Sequence, residues 1–136
     1  MVKIIMGRKG TGKTKSMIEL VNAAAVNEGG VTICLELGQK LRYDIKHNVR
    51  LVDTKPYDIR SYQVLRGFIT GLYAGNFDIT HVFVDSLFKV SGESDMTETD
   101  KFVSWIASFG EQNGINFTVS ISEDTSLATE NMKQYM

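Results

Sequence analysis

The sequence predicts an α/β fold: a mainly parallel sheet covered on both faces by helices, a three-layer α/β/α sandwich of minimal size. Short apolar runs that suit strands alternate with longer segments whose apolar residues recur at helical spacing. Strands that alternate with helices favour a parallel sheet with right-handed crossovers. The chain has 136 residues, the size of one domain spanning 1–136, and its hydrophobic fraction of 43% supplies a core.

The first strand is Val2 to Met6, near-continuously apolar as befits a strand covered on both faces. A helix follows from Gly12 to about Asn27, with Met17, Leu20, Val21, Ala24 and Ala25 as its apolar stripe and Gly29-Gly30 at its end. Val31 to Glu36 is a second strand. From Lys40 to Asp53 the pattern is ambiguous: two alternating runs flank His47-Asn48, which suits either a hairpin or an irregular loop leading into a third sheet strand.

Pro56 punctuates the chain, and Asp58 is the expected N-cap of a helix from Ile59 to Tyr73. Tyr62, Leu65, Ile69, Leu72 and Tyr73 mark its buried face. Gly75-Asn76 closes it, and His81 to Asp85 forms the next strand. After a loop from Ser91 to Met96, Asp95 and Glu98 have the spacing of a capping box. That helix buries Phe102, Trp105, Ile106 and Phe109 and ends at Gly114. Asn116 to Ile121 is the last strand, and a short helix is expected within Ser126 to Tyr135.

Charge and composition exclude several roles. Fifteen basic residues face sixteen acidic ones, for a net charge of −1, so no global field attracts nucleic acid or an anionic membrane surface. No apolar stretch has the length of a membrane span. The N-terminus enters a strand directly, unlike a signal peptide. The single cysteine, Cys34, sits in an apolar run, where a buried core thiol is expected, and suits a reducing cytoplasm.

The most specific feature is Gly7 to Thr14, GRKGTGKT, which fits G-x-x-x-x-G-K-T. A strand feeds this glycine-rich turn, and a helix follows it. Gly7, Gly10 and Gly12 let the backbone approach a ligand, so that successive amides, including that of Thr11, converge on phosphate oxygens. Lys13 supplies a mobile positive charge for the β and γ phosphates, and the hydroxyl of Thr14 supplies a ligand for Mg²⁺. The helix adds the positive end of its dipole. Arg8 and Lys9 add charge within the loop, and Lys15 and Ser16 extend the candidate site into the first turn. Each of these four also fits a solvated position.

With GRKGTGKT as Walker A and His81-Val82-Phe83-Val84-Asp85 as Walker B, about seventy residues apart, the chain resembles the P-loop NTPases. More narrowly, it is similar to short bacterial P-loop proteins sometimes labelled twitching-motility ATPases of the pilus-retraction type. The resemblance implies the P-loop NTPase fold, with ATP and Mg²⁺ bound at Walker A and Asp85 holding the metal opposite Thr14. In many ATPases a glutamate beside the Walker B aspartate activates the attacking water; this chain has Ser86 there. Glu36, at the end of the second strand, is the substitute candidate, though a solvated strand-end acid is the alternative. Ser120 and Ser122 occupy the strand end where recombinase-type P-loop proteins sense the γ-phosphate, though serine at a strand terminus needs no such role and the plain structural reading leads.

Three functions compete: an ATP-binding protein that hydrolyses slowly, with coupling to self-assembly as one form of it, a small-molecule or nucleotide kinase, and a non-catalytic nucleotide sensor with a protein partner. Arg42 and Arg50 are the only arginines in the segment long enough to form a kinase lid. The residues after Asp85 lack the D-x-x-G glycine of a GTPase, and no N-K-x-D segment reads guanine, so ATP is preferred.

Overall fold

The computed structural model describes residues 1–136. Strands β1 (Val2–Gly7), β2 (Val31–Glu36), β3 (Arg50–Asp53), β4 (Ile79–Val84) and β5 (Asn116–Ser122) form one sheet in the order β1-β5-β4-β2-β3. Every neighbouring pair is parallel, as the alternation of elements predicts. The helices are α1 (Lys13–Asn27), α2 (Tyr62–Gly75), α3 (Leu87–Ser91), α4 (Met96–Asn113) and α5 (Glu130–Lys133).

Alternation along each strand sorts side chains into two cores. Ile33, Leu35, Val82 and Val84 join the larger one, with Tyr62, Leu65 and Ile69 of α2, Leu87 and Val90 of α3, Phe102, Val103 and Ile106 of α4, and Met132 of α5. Cys34 and Phe83 point to the other face, where Met17, Val21 and Ala24 of α1 meet them. Helices therefore lie on both faces, four on one and a single helix on the other. Trp105 belongs to the four-helix side, 4.8 Å from Phe109 between ring centres and covered by the Arg66 guanidinium.

The ambiguous stretch after β2 resolves as a loop leading into β3, not as a hairpin. Leu41, Ile45 and Val49 turn inward onto the α1 core. Asn22 and Asn48 stitch the loop to α1: Asn22 donates to the carbonyl of Asp44 (2.8 Å) and accepts from the amide of Lys46 (2.9 Å), and Asn48 donates to the carbonyl of Ala25 (2.9 Å). The first alternating run is therefore loop, anchored inward at Leu41 and Ile45, and the second becomes β3.

The expected cap of α2 is corrected too. Asp58 adopts φ 56° at the end of a 3₁₀ turn, whereas an N-cap needs extended backbone. Ser61, at φ −155°, takes that place and accepts from the amide of Val64 (3.1 Å). Asp58 pairs instead with Arg60 (2.6 Å). Helix α3 has no counterpart in the expected elements; five residues are too few to display a helical period. The box at α4 is one-sided: Asp95 accepts from the amide of Glu98 (3.0 Å), while the Glu98 carboxylate faces Lys101 (3.3 Å).

At the end of the sheet away from the glycine-rich loop, His81 is buried. Its Nδ1 faces the Glu28 carboxylate (3.0 and 3.1 Å), its Nε2 faces the Thr118 hydroxyl (2.9 Å), and its ring stacks 4.0 Å from Phe83. Burial holds its pKa below the usual 6.5, with Glu28 opposing. The unfolded chain then binds a proton more readily than the native one. This contribution is complete above the unfolded pKa and is lost as pH falls through the lower native value. Burial raises the carboxyls of Glu36 and Asp85, which act in the opposite sense. Urea midpoints at about pH 7.5 and about pH 5.5 should therefore fall further on acidification in the wild type than in His81→Gln. Equal falls would remove this account of His81.

Candidate functional site

Every strand ends on the same side because the sheet is parallel, and the glycine-rich loop leaves β1 there. Helix α1 begins at Lys13, after Gly12 at φ 83° and ψ 18°. This left-handed conformation suits glycine, which has no Cβ to clash. No side chain caps this end and no acidic residue lies in the first turn. The first bond from the helix backbone runs from the Ser16 amide to the Gly12 carbonyl (3.1 Å), leaving the amides of Lys13, Thr14 and Lys15 without a protein acceptor. An open, positively polarised helix start is receptive to an anion.

The loop is braced through one carbonyl. The Arg8 carbonyl accepts from the Thr11 hydroxyl (2.7 Å) and from Lys13 Nζ (2.8 Å). Partial burial lowers the pKa of Lys13, while Asp85 works to raise it. The ammonium is thus folded back over its own loop, positioned before any ligand arrives.

Asp85 stands one residue beyond β4, buried, on the sheet face that carries α1. The register that pairs Val84 with Val119 and with Leu35 puts Ser120 and Glu36 on either side of it. Ser120 Oγ donates to Asp85 Oδ1 (3.2 Å) and accepts from the amide of Ser86 (2.7 Å). One hydroxyl therefore sets both the carboxylate and the turn after it. Burial pushes the Asp85 carboxyl above its ordinary pKa; the Ser120 bond and the nearby Lys89, Lys13 and Lys40 pull it back.

Glu36 is not a solvated strand-end acid: only 3% of it is exposed. Its oxygens accept from the amides of Lys40 (3.1 Å) and Leu41 (3.2 Å) and so tie down the start of the 38–49 loop. Burial raises its pKa and those two amides lower it.

These parts surround two adjoining spaces. A cleft of about 360 Å³ has no hydrophobic lining and runs past Gly10, Gly12 and Thr14, with Lys9, Lys13, Lys15, Lys40 and Lys89 around it. A smaller recess of about 80 Å³ joins Thr14 to Glu36 and Asp85, also between Lys40 and Lys89. Thr14 and Asp85, expected to share a metal, therefore line one space. No cluster of three or more His, Cys, Asp or Glu side chains exists to hold a metal alone. The donor set fits Mg²⁺, which is commonly bound through one or two carboxylates completed by phosphate oxygens and water.

The remaining candidates lie elsewhere on the loop. Gly7, Arg8, Thr11 and Ser16 line a second hollow of about 420 Å³ that shares Gly12 and Lys13 with the lysine cleft, and there Arg8 pairs with Asp124 (2.8 Å). Another hollow, about 530 Å³, lies beside the 42–51 segment and touches none of the motif residues.

Lys40 and Lys89 were not among the residues expected at the site. One signal was available: each lies four positions after the acid that ends a strand, Glu36 for Lys40 and Asp85 for Lys89. No helix is long and apolar enough to cross a membrane. Comparison with protein-family models and with curated proteins finds no match to this chain.

Proposed function

We propose that this is a P-loop protein that binds ATP with Mg²⁺ and hydrolyses it slowly. The observation that carries this reading is the bare start of α1: Lys13, Thr14 and Lys15, whose amides have no protein acceptor, line a cleft with five lysines and no hydrophobic residue. Those amides and Lys13 would hold the phosphates, and Thr14 and Asp85 would hold Mg²⁺ in the recess between them. The metal's chemistry would be to neutralise charge between the terminal phosphates.

Slow turnover follows from the acids available. Ser86 occupies the position beside Asp85, and its amide is committed to Ser120. Both carboxylate oxygens of Glu36 already accept backbone amides, so this acid is engaged in holding the 38–49 loop rather than a water. Calorimetric titration with ATP, with and without Mg²⁺, tests binding; phosphate release measured alone and then with candidate acceptors separates a hydrolase from a kinase. Trp105 sits among the α4 aromatics on the sheet face opposite α1, so calorimetry is the better readout than its fluorescence. Absence of ATP binding would end the proposal, and tight binding without any phosphate release would leave a nucleotide sensor.

A further inference from the structure

Two cations at the site belong to neither the glycine-rich loop nor α1. Lys40 comes from the loop after β2, and Lys89 from α3 after β4. Both line the cleft and the recess, so they stand where the two spaces meet. Neither forms an ion pair. Both act on the Asp85 carboxylate through space.

Their placement is built rather than incidental. The Glu36 carboxylate accepts from the backbone amide of Lys40, which fixes where that residue leaves the sheet. The carbonyl of Ser86 accepts from the amide of Lys89 (3.0 Å), and the Ser86 amide is in turn held by Ser120. The α3 helix is pinned by Leu87 and Val90, both buried. Two lysines without ion pairs thus line the same cleft as the open start of α1, on elements other than α1.

We propose that Lys40 and Lys89 form a pair of terminal-phosphate receptors, through which the protein distinguishes a nucleoside triphosphate from a diphosphate without an arginine. The inference rests on the ATP reading of the cleft and adds the residues that set its phosphate-number specificity. The free amides and Lys13 take the phosphate nearest α1. Thr14, Lys40 and Lys89 line both the cleft and the adjoining recess that holds Asp85, so a further phosphate directed toward Asp85 would meet the two lysines. A diphosphate would end before them. The lysines are point charges on flexible stems, suited to following a phosphate but not to bidentate grip.

Calorimetric titration of ATP and ADP with the full chain tests this, using the wild type, Lys40→Ala, Lys89→Ala and the double variant. Both side chains are exposed, and alanine keeps the amides that bond Glu36 and Ser86, so the fold is retained. Each single variant should lose about tenfold in ATP affinity, and the double variant about 50-fold, with ADP affinity changed by less than about twofold. Lys40→Arg with Lys89→Arg should recover most of the ATP affinity, because charge rather than shape is needed. Equal losses for ATP and ADP, or no loss for either, would overturn the inference while leaving the phosphate site standing. A wild type that binds neither nucleotide would overturn both.

Discussion

Lys13→Ala should lower the affinity for ATP and for ADP alike by about 100-fold, roughly 2.8 kcal/mol. Lys13 is the one cation that both belongs to the loop and lies over it, with its Nζ 2.8 Å from the Arg8 carbonyl. On the proposed reading its charge would meet phosphates near the start of α1, common to both nucleotides, so the loss should not depend on phosphate number. The variant should still fold, because Thr11 continues to brace the same carbonyl at 2.7 Å and the bond lost is exposed. Calorimetry measures the affinity and a thermal melt checks the fold. Unchanged affinity in a folded variant would remove the phosphate site, and every role derived from it would go as well.

Asp85→Asn should have two effects of opposite value. Magnesium should cease to strengthen ATP binding, because the charged oxygen that reaches the recess is gone. Unfolding stability should rise by about 1 kcal/mol, as for other buried charges held for function. The sign follows from the raised pKa: folding disfavours the ionised carboxyl, so its cost is present once pH exceeds the native pKa and disappears when the group is neutral. Asparagine retains an oxygen that can accept from Ser120, so the link to β5 survives. ATP titrations with and without Mg²⁺, together with urea unfolding, read both effects. If the variant keeps its magnesium dependence and loses stability, Asp85 is a structural strand-end cap.

Much of this arrangement could be read from the sequence, for reasons that differ between its parts. The glycine-rich loop is contiguous: one strand, one turn and one helix start, each specified by its neighbours in sequence. Asp85 was legible because an apolar run of alternating faces stops there, and the parallel sheet brings that end to the loop. Glu36 was legible as a strand-end acid, but its burial was not. That depends on amides four and five residues onward folding back over it, which no local pattern encodes. Lys40 and Lys89 were lost for the same reason. One sits on a loop whose alternation imitates strands, and the other on a helix of five residues. The cap of α2 was displaced from Asp58 to Ser61 because a 3₁₀ turn over Lys55–Tyr57, with Pro56 inside it, intervenes before the chain extends.

Cys34 gives the chain its own clock. It is the sole thiol, buried between β2 and the underside of α1, and burial with Asp85 and Glu36 nearby raises its pKa strongly. A thiol reagent cannot reach it, or meet its reactive anion, while α1 remains docked. The rate of Cys34 alkylation therefore counts openings of the small core that α1, the helix bearing Lys13 and Thr14, shares with the 38–49 loop. A ligand seated at the start of that helix should slow the count in proportion to its occupancy.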